Sequence, residues 1–296
     1  MEEGKKDGPP ASAVLGAVTA FGLWGVLPVY WKAIAHIGSD LAVAHRVVWT
    51  LATVVPLLVW RGEFRTWAAT LRRPRIVGIH AWAALLLGIN WSTFVWAAHH
   101  GHIVECSVGY FINPMLNVLI GFVLLGERVN RLQMASIILA GAGVTMQIAL
   151  IGHLPWIALA LAFSMAFYAL ARRQSPEGSL SGLATETLVT APLAAAYLFW
   201  MQSKAVPIFG PARWSDIALL LGLGIITAVP LLGFAHAARK LPFAMLGLLQ
   251  FLAPTGQFLT GAVIYHEPVS RAAQASFGFI WLGVAIFCMD LWRRRN

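Results

Sequence analysis

The chain has 296 residues, of which 59% are hydrophobic and only 11% are charged. An ordinary soluble domain carries about 25% charged residues, so this composition excludes a soluble enzyme, a secreted disulfide-rich protein and a disordered chain. The apolar runs are continuous rather than alternating, which also argues against an outer-membrane β-barrel. The formal net charge of +9 comes from basic residues placed between the apolar runs. We therefore interpret the charge as a signal for membrane orientation and not for nucleic-acid binding.

Ten apolar stretches are long enough to cross a bilayer, which takes about 20 largely apolar residues. In chain order, the predicted spans are 11–35, 40–60, 76–98, 103–124, 130–150, 153–171, 181–200, 215–236, 241–264 and 270–291. The predicted fold class is therefore an all-α integral membrane protein with ten transmembrane helices.

The basic residues lie mainly on one side of this arrangement. Of the 21 Lys and Arg residues, we place 16 on the side of both termini, and Arg46 lies inside the second span. The other side receives four, which are Lys32, Lys204, Arg213 and Arg271. Cytoplasmic loops carry the excess of Lys and Arg, so both termini are expected in the cytoplasm.

The second part of the chain repeats the first at an offset of 140 residues, without a gap. The matched pairs are Phe111/Phe251, Pro114/Pro254, Leu119/Leu259, Gly121/Gly261, Glu127/Glu267, Val129/Val269, Arg131/Arg271, Ala135/Ala275, Ser136/Ser276, Gly143/Gly283 and Val144/Val284. Five spans separate the copies, and because five is odd, the copies enter the membrane from opposite faces. We therefore expect two inverted five-span halves, 1–150 and 151–296, an arrangement that suits alternating access in a transporter. A duplication retained only for packing is the alternative.

Both halves carry a proline, a glutamate and a glycine around the end of the fourth helix. These residues are Pro114, Gly126-Glu127 and Gly143 in the first half, and Pro254, Glu267 and Gly283 in the second. Further motifs are His45-Arg46-Val47-Val48-Trp49, Ile89-Asn90-Trp91, Gly109-Tyr110-Phe111-Ile112-Asn113-Pro114 with Asn117, Gly126-Glu127-Arg128 and Leu154-Pro155-Trp156-Ile157-Ala158-Leu159. The set resembles the EamA family of the drug/metabolite transporter superfamily and, within it, the RarD permeases. The resemblance implies a bacterial inner-membrane permease that exports small metabolites. His266 stands where the family has glycine, and we expect a looser turn there.

Polar side chains within the predicted spans are candidates for solute binding, because burying them in hydrocarbon is costly. Tyr110 and Asn117 share one face of span 4 with Pro114, and their mates on span 9 are Gln250 and Gln257. Proline removes a backbone hydrogen bond and leaves the carbonyl one turn earlier without its donor. We predict a pair of kinked, polar helices that face a central substrate cavity. A helix–helix packing seam is the alternative.

Further candidates for solute contact lie elsewhere in the spans. They are Asn113 in the Gly-Tyr-Phe-Ile-Asn-Pro motif, Asn90 and Trp91 on span 3, Trp24 and Tyr30 on span 1, and Tyr168 on span 6. Amphipathic aromatic residues deep in a membrane bind aromatic or cationic solutes through stacking and cation–π contacts. For Trp24 and Trp91, packing within the protein is the competing interpretation.

Arg46 lies about 10 Å inside span 2, counting about 1.5 Å per residue from the outer end of the span. It is a candidate to bind a substrate carboxylate near the outer gate. The alternative is an arginine held by helix-end carbonyls or by Asp40. Its mate at offset 140 is Glu186, which enters from the opposite face and can snorkel to the cytoplasmic surface.

No acidic residue lies at the predicted mid-bilayer, so gradient-driven facilitated diffusion fits better than proton coupling. The sequence has no nucleotide-binding loop of the Walker type, so we expect no ATPase subunit. We also expect no cofactor and no metal. The expected partners are a small-molecule solute and the lipid bilayer, and no nucleic acid is expected.

The sequence thus predicts a carrier of small organic metabolites, such as amino acids or drug-like aromatic solutes, and not an enzyme. The rival is a membrane-embedded enzyme that modifies lipids or metabolites. Such an enzyme normally has clustered catalytic carboxylates or histidines at one interface and a sizeable soluble loop. A channel would need a polar lining through the whole membrane.

Overall fold

The computed structural model describes residues 9–99, 103–151, 156–209, 213–266 and 271–293, and within these ranges the chain is helical and contains no β-strand. The helices are α1 (Ala11–Ala33), α2 (Ser39–Trp60), α3 (Phe64–Thr70), α4 (Pro74–His99), α5 (Ile103–Val123), α6 (Arg131–Ile151), α7 (Trp156–Gln174), α8 (Ser179–Ser203), α9 (Trp214–Lys240), α10 (Phe243–Gln250), α11 (Leu252–Leu259) and α12 (Arg271–Arg293). A π-helical turn (Thr260–Ile264) continues α11.

Among the described residues, seven helical segments are long and apolar enough to cross a membrane. They are α1, α2, α4, α7, α8, α9 and the combined segment Phe243–Ile264, and shorter apolar helices lie within α5, α6 and α12. These segments agree with the predicted spans to within a few residues. The short helix α3 was not predicted. Its Trp67 is buried, and the Trp67 Nε1 atom donates a hydrogen bond to Thr185 Oγ1 at 3.0 Å.

Continuous apolar runs form helices because a helix pairs the backbone N–H and C=O groups within the segment itself. Proline interrupts this pairing in the ninth predicted span. Helix α10 ends at Gln250 and α11 begins at Leu252. Since Pro254 has no N–H group to donate to the Gln250 carbonyl, the helix breaks beside the carbonyl that the sequence marked as freed. Helix α5, by contrast, continues through Pro114.

Contacts between helix ends define two faces of the molecule. At the face where α1 begins, here called the N-terminal face, Ser12 Oγ lies 3.3 Å from His236 Nε2 near the end of α9. Helices α4, α6, α8 and α10 also begin at this face, and α5, α7 and α12 end there. At the opposite face, the Lys32 ammonium near the end of α1 lies 3.5 Å from the centre of the Tyr265 ring.

Helix packing repeats between the two parts of the chain. Helix α1 packs on α9 and α11, and α7, which lies five predicted spans later, packs on α4 and α5. Three further pairs join a helix to its own counterpart, namely α6 with α12, α2 with α8, and α5 with α10. This pattern of contacts is the one expected if the two parts are related by a twofold axis.

The contact between α6 and α12 shows the same relation at atomic scale. A Cβ atom placed on Gly143 would lie 2.7 Å from the Ser276 carbonyl oxygen. A Cβ atom on Gly283 would lie 2.7 Å from the Ser136 carbonyl oxygen. Each glycine therefore allows one helix to touch the backbone of the other, as small residues do in membrane helix pairs.

The turns that follow the fourth helix of each half also correspond. Gly126 has φ +63° and its mate His266 has φ +52°. The sequence predicted a looser turn at His266, but the histidine adopts the left-handed conformation of the glycine. This conformation costs a non-glycine residue about 1–2 kcal/mol. The turn therefore keeps the same geometry in both halves although the conformation is unfavourable for histidine.

The helices meet more tightly at the N-terminal face than at the opposite face. Helix α5 packs extensively on α10 but makes few contacts with α11, which lies nearer the opposite face. Helix α7 contacts α9, where the rings of Tyr168 and Phe234 stack with centroids 5.9 Å apart. The counterpart pair, α1 and α4, has at most marginal contact between its described residues. The described parts of α5 and α11, and of α1 and α4, therefore diverge toward the opposite face, whereas their counterparts are closed at the N-terminal face.

Candidate functional site

The predicted polar faces of α5 and α10 meet directly. Asn117 Nδ2 donates to Gln250 Oε1 at 2.6 Å, and Asn113 Nδ2 donates to the Ala162 carbonyl on α7 at 2.7 Å. All three polar side chains are buried, and Asn117 Oδ1 has no hydrogen-bond partner among the described residues. In this conformation the three residues form a closed seam rather than a cavity wall. A buried acceptor without a partner costs about 1–3 kcal/mol, which weakens the seam.

Tyr110 and Gln257, the other two of the four predicted polar residues on the proline-containing helices, are not hydrogen-bonded to each other among the described residues. The Gln257 Nε2 atom donates to the Trp24 carbonyl at 3.3 Å. Tyr110 is half-buried, with its ring 6.2 Å from that of Phe94, and it forms no hydrogen bond with Gln257 in the part of the chain that is described. At the repeat offset, the Tyr110–Gln257 pair is the counterpart of Gln250–Asn117. Of the two pairs that the repeat offset relates, one is therefore hydrogen-bonded and the other is not, among the described residues.

Arg46 lies where α1, α2, α4 and α9 converge. Its Nε atom donates to Thr227 Oγ1 at 2.8 Å. Its guanidinium carbon lies 4.0 Å from the centre of the Trp91 ring and 5.9 Å from that of Trp31. Tyr110 on α5 is close enough to interact with it electrostatically. The structure thus brings together Arg46, Trp91 and Tyr110, which were separate candidates in the sequence.

Neither of the structural partners suggested by the sequence holds Arg46. The Tyr197 hydroxyl donates a hydrogen bond to Asp40 instead. Among the described residues, no carboxylate forms an ion pair with Arg46 and no backbone carbonyl accepts a hydrogen bond from it. Within the described ranges, the buried guanidinium therefore has no counter-charge.

Two of the remaining candidates join helices through hydrogen bonds. Asn90 Nδ2 donates to the Leu161 carbonyl at 2.9 Å and to Ser164 Oγ at 3.0 Å, which ties α4 to α7. The Tyr30 hydroxyl donates to the Leu219 carbonyl, which ties α1 to α9. In this conformation both side chains satisfy polar groups of neighbouring helices.

Two further candidates, Trp24 and Tyr168, lie in one aromatic cluster. The ring centre of Phe234 is 5.6 Å from that of Trp24 and 5.9 Å from that of Tyr168. Phe21 lies 5.8 Å from Trp24 and completes the cluster. These rings fill the space between α1, α7 and α9, so the cluster contributes to closure at the N-terminal face.

A buried charged network near the N-terminal face was not predicted. Arg172 Nη1 donates to Glu186 Oε1 at 2.9 Å, and His80 Nδ1 lies 2.9 Å from the same oxygen. The Tyr168 hydroxyl donates to Glu186 Oε2 at 3.0 Å, and Ser175 Oγ lies 2.9 Å from His80 Nε2. The side chains of His80, Tyr168, Arg172 and Glu186 are each at most 1% exposed. The network joins α4, α7 and α8 inside the protein.

This network corrects one interpretation of the sequence. Glu186 does not snorkel to the surface, because it forms an ion pair with Arg172 inside the protein. They are 14 positions apart on two consecutive helices. An acid early in one helix and a base late in the preceding helix are level in a hairpin, and this spacing is the signal that could have suggested the pair.

Glu127, a repeat residue to which the sequence gave no role, caps the start of α10. Its Oε1 atom accepts a hydrogen bond from the Phe243 backbone N–H at 2.7 Å, and Oε2 accepts one from Ala244 at 3.0 Å. Arg173 Nη2 at the end of α7 lies 3.8 Å from Oε1. The carboxylate therefore joins the ends of α5 and α7 to the start of α10. Its mate, Glu267, lies outside the described residues.

A groove of about 460 Å³ lies between α5 and α6. It is lined by Ile112, Met115, Val118, Leu119, Phe122, Val129, Met134, Ile137, Gly141, Val144, Thr145 and Ile148. None of the predicted solute-binding residues is in this lining. Its apolar surface suits hydrocarbon chains rather than a polar solute.

Comparisons with known proteins decide the family. Residues 11–148 match the model of the EamA-like transporter family. The chain is 40% identical to Protein RarD of Salmonella typhi and 39% identical to Protein RarD of Escherichia coli strain K12, in each case over 277 residues that cover 94% of both chains. This chain belongs to the EamA-like transporter family.

Other relatives extend the same assignment. The uncharacterized transporter YojE of Bacillus subtilis is 35% identical to this EamA-like chain over 289 residues, which cover 96% of each. A solved crystal structure shares the fold with a TM-score of 0.71 at 22% identity, and the match covers 93% of this chain and 96% of the other. The family resemblance found in the sequence is confirmed. The chain is a multi-pass membrane transporter of the drug/metabolite type.

Proposed function

We propose that this EamA-like transporter crosses the bacterial inner membrane ten times and exports small organic metabolites, such as amino acids or drug-like aromatic solutes, by alternating access. Residues 1–150 and 151–296 form its two inverted halves. The observation that carries the proposal is the unequal state of two equivalent contacts, since Asn117 and Gln250 are bonded at 2.6 Å while Tyr110 and Gln257 are not joined. When the halves exchange conformations, the second pair closes, the first opens, and the site between them turns to the other face.

Four further observations support inverted halves. Helix packing repeats, with α1 on α9 and α11, and α7 on α4 and α5. Gly143 and Gly283 make the same backbone contact from opposite sides, and Gly126 and His266 share a left-handed turn. The family model also matches residues 11–148, which is nearly all of the first proposed half.

The proposed orientation places the N-terminal face in the cytoplasm. In the proposed topology, 16 of the 21 Lys and Arg residues lie on that side, and cytoplasmic loops carry such an excess. The conformation is then closed to the cytoplasm and open to the outside. An exporter releases its solute from this state.

The proposed solute site lies on the outer side of the protein, between the helices that diverge in this conformation. Arg46, Trp91 and Tyr110 contribute to it in this conformation. Asn117 and Gln250 become available only when their seam opens toward the cytoplasm. The other proposed contact residues now hold helices together and reach the pathway as those helices separate, namely Asn90, Asn113, Trp24, Tyr30, Tyr168 and Gln257.

Counterflow into liposomes that contain the purified protein tests the transport activity. We expect saturable exchange of at least one member of a panel of amino acids and aromatic metabolites, with the solute recovered chemically unchanged. Because the solute gradient sets the direction of facilitated diffusion, cells preloaded with the same solute should release it faster with the transporter than without it if the direction is export. Chemical conversion of a panel member would favour the membrane-enzyme alternative. No exchange of any member would contradict the proposed substrate range.

A cross-link across the seam tests alternating access. With both native cysteines replaced, cysteines at Asn117 and Gln250 should be joined by a short bifunctional thiol reagent, and the cross-linked protein should lose exchange. Cysteines at Asn130 and Asp290, whose side chains also meet at 2.8 Å, provide a matched cross-link between α6 and α12. That control should retain exchange, because α6 and α12 contact each other reciprocally at Gly143 and Gly283, and this contact is the same before and after the halves exchange conformations. Full exchange by the seam-linked protein would refute the proposed motion.

A further inference from the structure

Arg46 is a buried cation that the protein leaves partly unsatisfied. Only 8% of its surface is exposed, and its Nε–H group donates to Thr227. The two terminal nitrogens donate no hydrogen bond to a described residue, and neither is among the unpaired polar atoms that are closed off from solvent. Their N–H groups are therefore available to a ligand that enters between the helices.

The surroundings of Arg46 stabilise its charge without neutralising it. The ring faces of Trp91 and Trp31 attract a cation through their electrons. Asp40 and Asp216, the acidic residues at the starts of α2 and α9, have other partners in Tyr197 and His36 respectively. Because an unpaired buried charge is costly, an anionic ligand gains more at this site than a neutral one of the same shape.

We propose that Arg46 binds the carboxylate of a small monoanionic solute whose apolar or aromatic body packs against Trp91, Trp31 and Tyr110. This inference rests on the proposed function, because the solute reaches the site from the side of the membrane to which the carrier is open. A guanidinium binds a carboxylate through two parallel N–H···O bonds. The hydrogen bond from Nε to Thr227 holds the guanidinium in one orientation. One guanidinium matches one negative charge, so the site selects monocarboxylates over cationic and neutral solutes.

Matched probes that differ only in their charged group test this selection. The probes are phenylacetate, its neutral analogue 2-phenylacetamide and the cationic 2-phenylethylamine, together with pentanoate and pentanamide as an aliphatic pair. Binding is measured as thermal stabilisation of the purified protein, and transport as counterflow in liposomes. We expect at least one carboxylate to bind about 10- to 100-fold more tightly than its amide, the range expected for a hydrogen-bonded charge pair.

Variants assign the selection to Arg46. Arg46→Gln should reduce carboxylate binding to the level of the amide, and Arg46→Lys should retain part of it because lysine keeps the charge but lacks the fork. Lys32→Gln removes a positive charge that lies over the Tyr265 ring rather than over Trp31 or Trp91, and should leave the preference for the acid unchanged. If Arg46→Gln does not fold, the comparison of wild type with Arg46→Lys still tests the proposal, because the ratio of acid to amide binding should be smaller in Arg46→Lys than in the wild type.

The outcomes separate this inference from the proposed function. Equal binding of acid and amide by the wild type, or an unchanged acid preference in Arg46→Gln, would overturn the carboxylate site. Exchange of the amide or the amine alone would overturn it too, while supporting transport. Tight binding of a carboxylate without exchange of any probe would support the site and count against the carrier function.

Discussion

Replacing Glu127 by glutamine is expected to open the N-terminal face of the transporter. In the closed state the carboxylate accepts the backbone N–H groups of Phe243 and Ala244 at 2.7 and 3.0 Å. Glutamine keeps one acceptor oxygen, but its NH₂ group faces the second N–H, and the negative charge at the start of α10 is lost. The residue caps a helix from outside that helix, so its bonds break when α5 and α10 separate.

The magnitude follows from the two bonds. Loss of a side-chain cap costs about 0.5–2 kcal/mol, and loss of a negative charge near a helix N-terminus costs about 0.3–1 kcal/mol. A combined loss of about 1–3 kcal/mol shifts the ratio of closed to open protein about 5- to 150-fold. Because the change acts only on the closed state, it should appear as a population shift rather than as a general loss of stability.

Spin labels on cysteines at Arg128 and Lys240, both exposed at the N-terminal face, measure this shift by double electron–electron resonance in liposomes. Glu127→Gln should increase the long-distance population. Glu267→Gln is the matched control, because Glu267 is the mate of Glu127 in the other half, and we expect it to decrease the same population. Distance distributions that stay unchanged, or that move in the same direction in both variants, would refute the reasoning.

Two further predictions concern stability and topology. Glu186→Leu leaves Arg172 buried without its partner and should lower the free energy of unfolding by about 3–5 kcal/mol, whereas Glu186→Leu with Arg172→Leu should recover most of this loss; equal thermal stability of the single and double variants would show that the pair is not coupled. In a background without native cysteines, a cysteine at Ser203 should react with an impermeant thiol reagent outside intact cells, and a cysteine at Arg131 should not. Outside labelling of the Arg131 position would contradict the proposed orientation.

The positions of the long helices could be predicted because a continuous apolar run has few alternatives to a helix in hydrocarbon. A kink was predicted at both prolines; the helix breaks near Pro254, whereas α5 continues through Pro114. Helix α3 was missed because it is a seven-residue helix, too short to produce an apolar run of membrane-crossing length. Local rules of this kind depend on the residues of one segment, and they succeed wherever the neighbouring segments do not change the outcome.

The candidate site was harder to predict because it depends on which helices face each other. Helical spacing and the repeat placed Asn117 and Gln250 on matching faces, but a seam and a cavity wall use the same residues in two different conformations. The Arg172–Glu186 pair was missed because positions along a helix place a charge near a surface without showing what the next helix presents to it. The contact between Arg46 on α2 and Trp91 on α4 could not be predicted, because no spacing or pattern in the sequence relates the two residues.

The paired glycine contacts between α6 and α12 bear on turnover rate. In the proposed cycle the two halves exchange conformations, so a contact that maps onto itself is the same before and after the exchange. The backbone of α6 touches α12 at Gly143 and Gly283 in this way, whereas the bond between Asn117 and Gln250 must break once in each cycle. An interface that is identical in both end states can be as tight as packing allows without favouring either state. The α6–α12 contact can therefore stabilise the protein, while the rate of turnover depends on the seam between α5 and α10, and tight packing of α6 on α12 does not slow the opening of that seam.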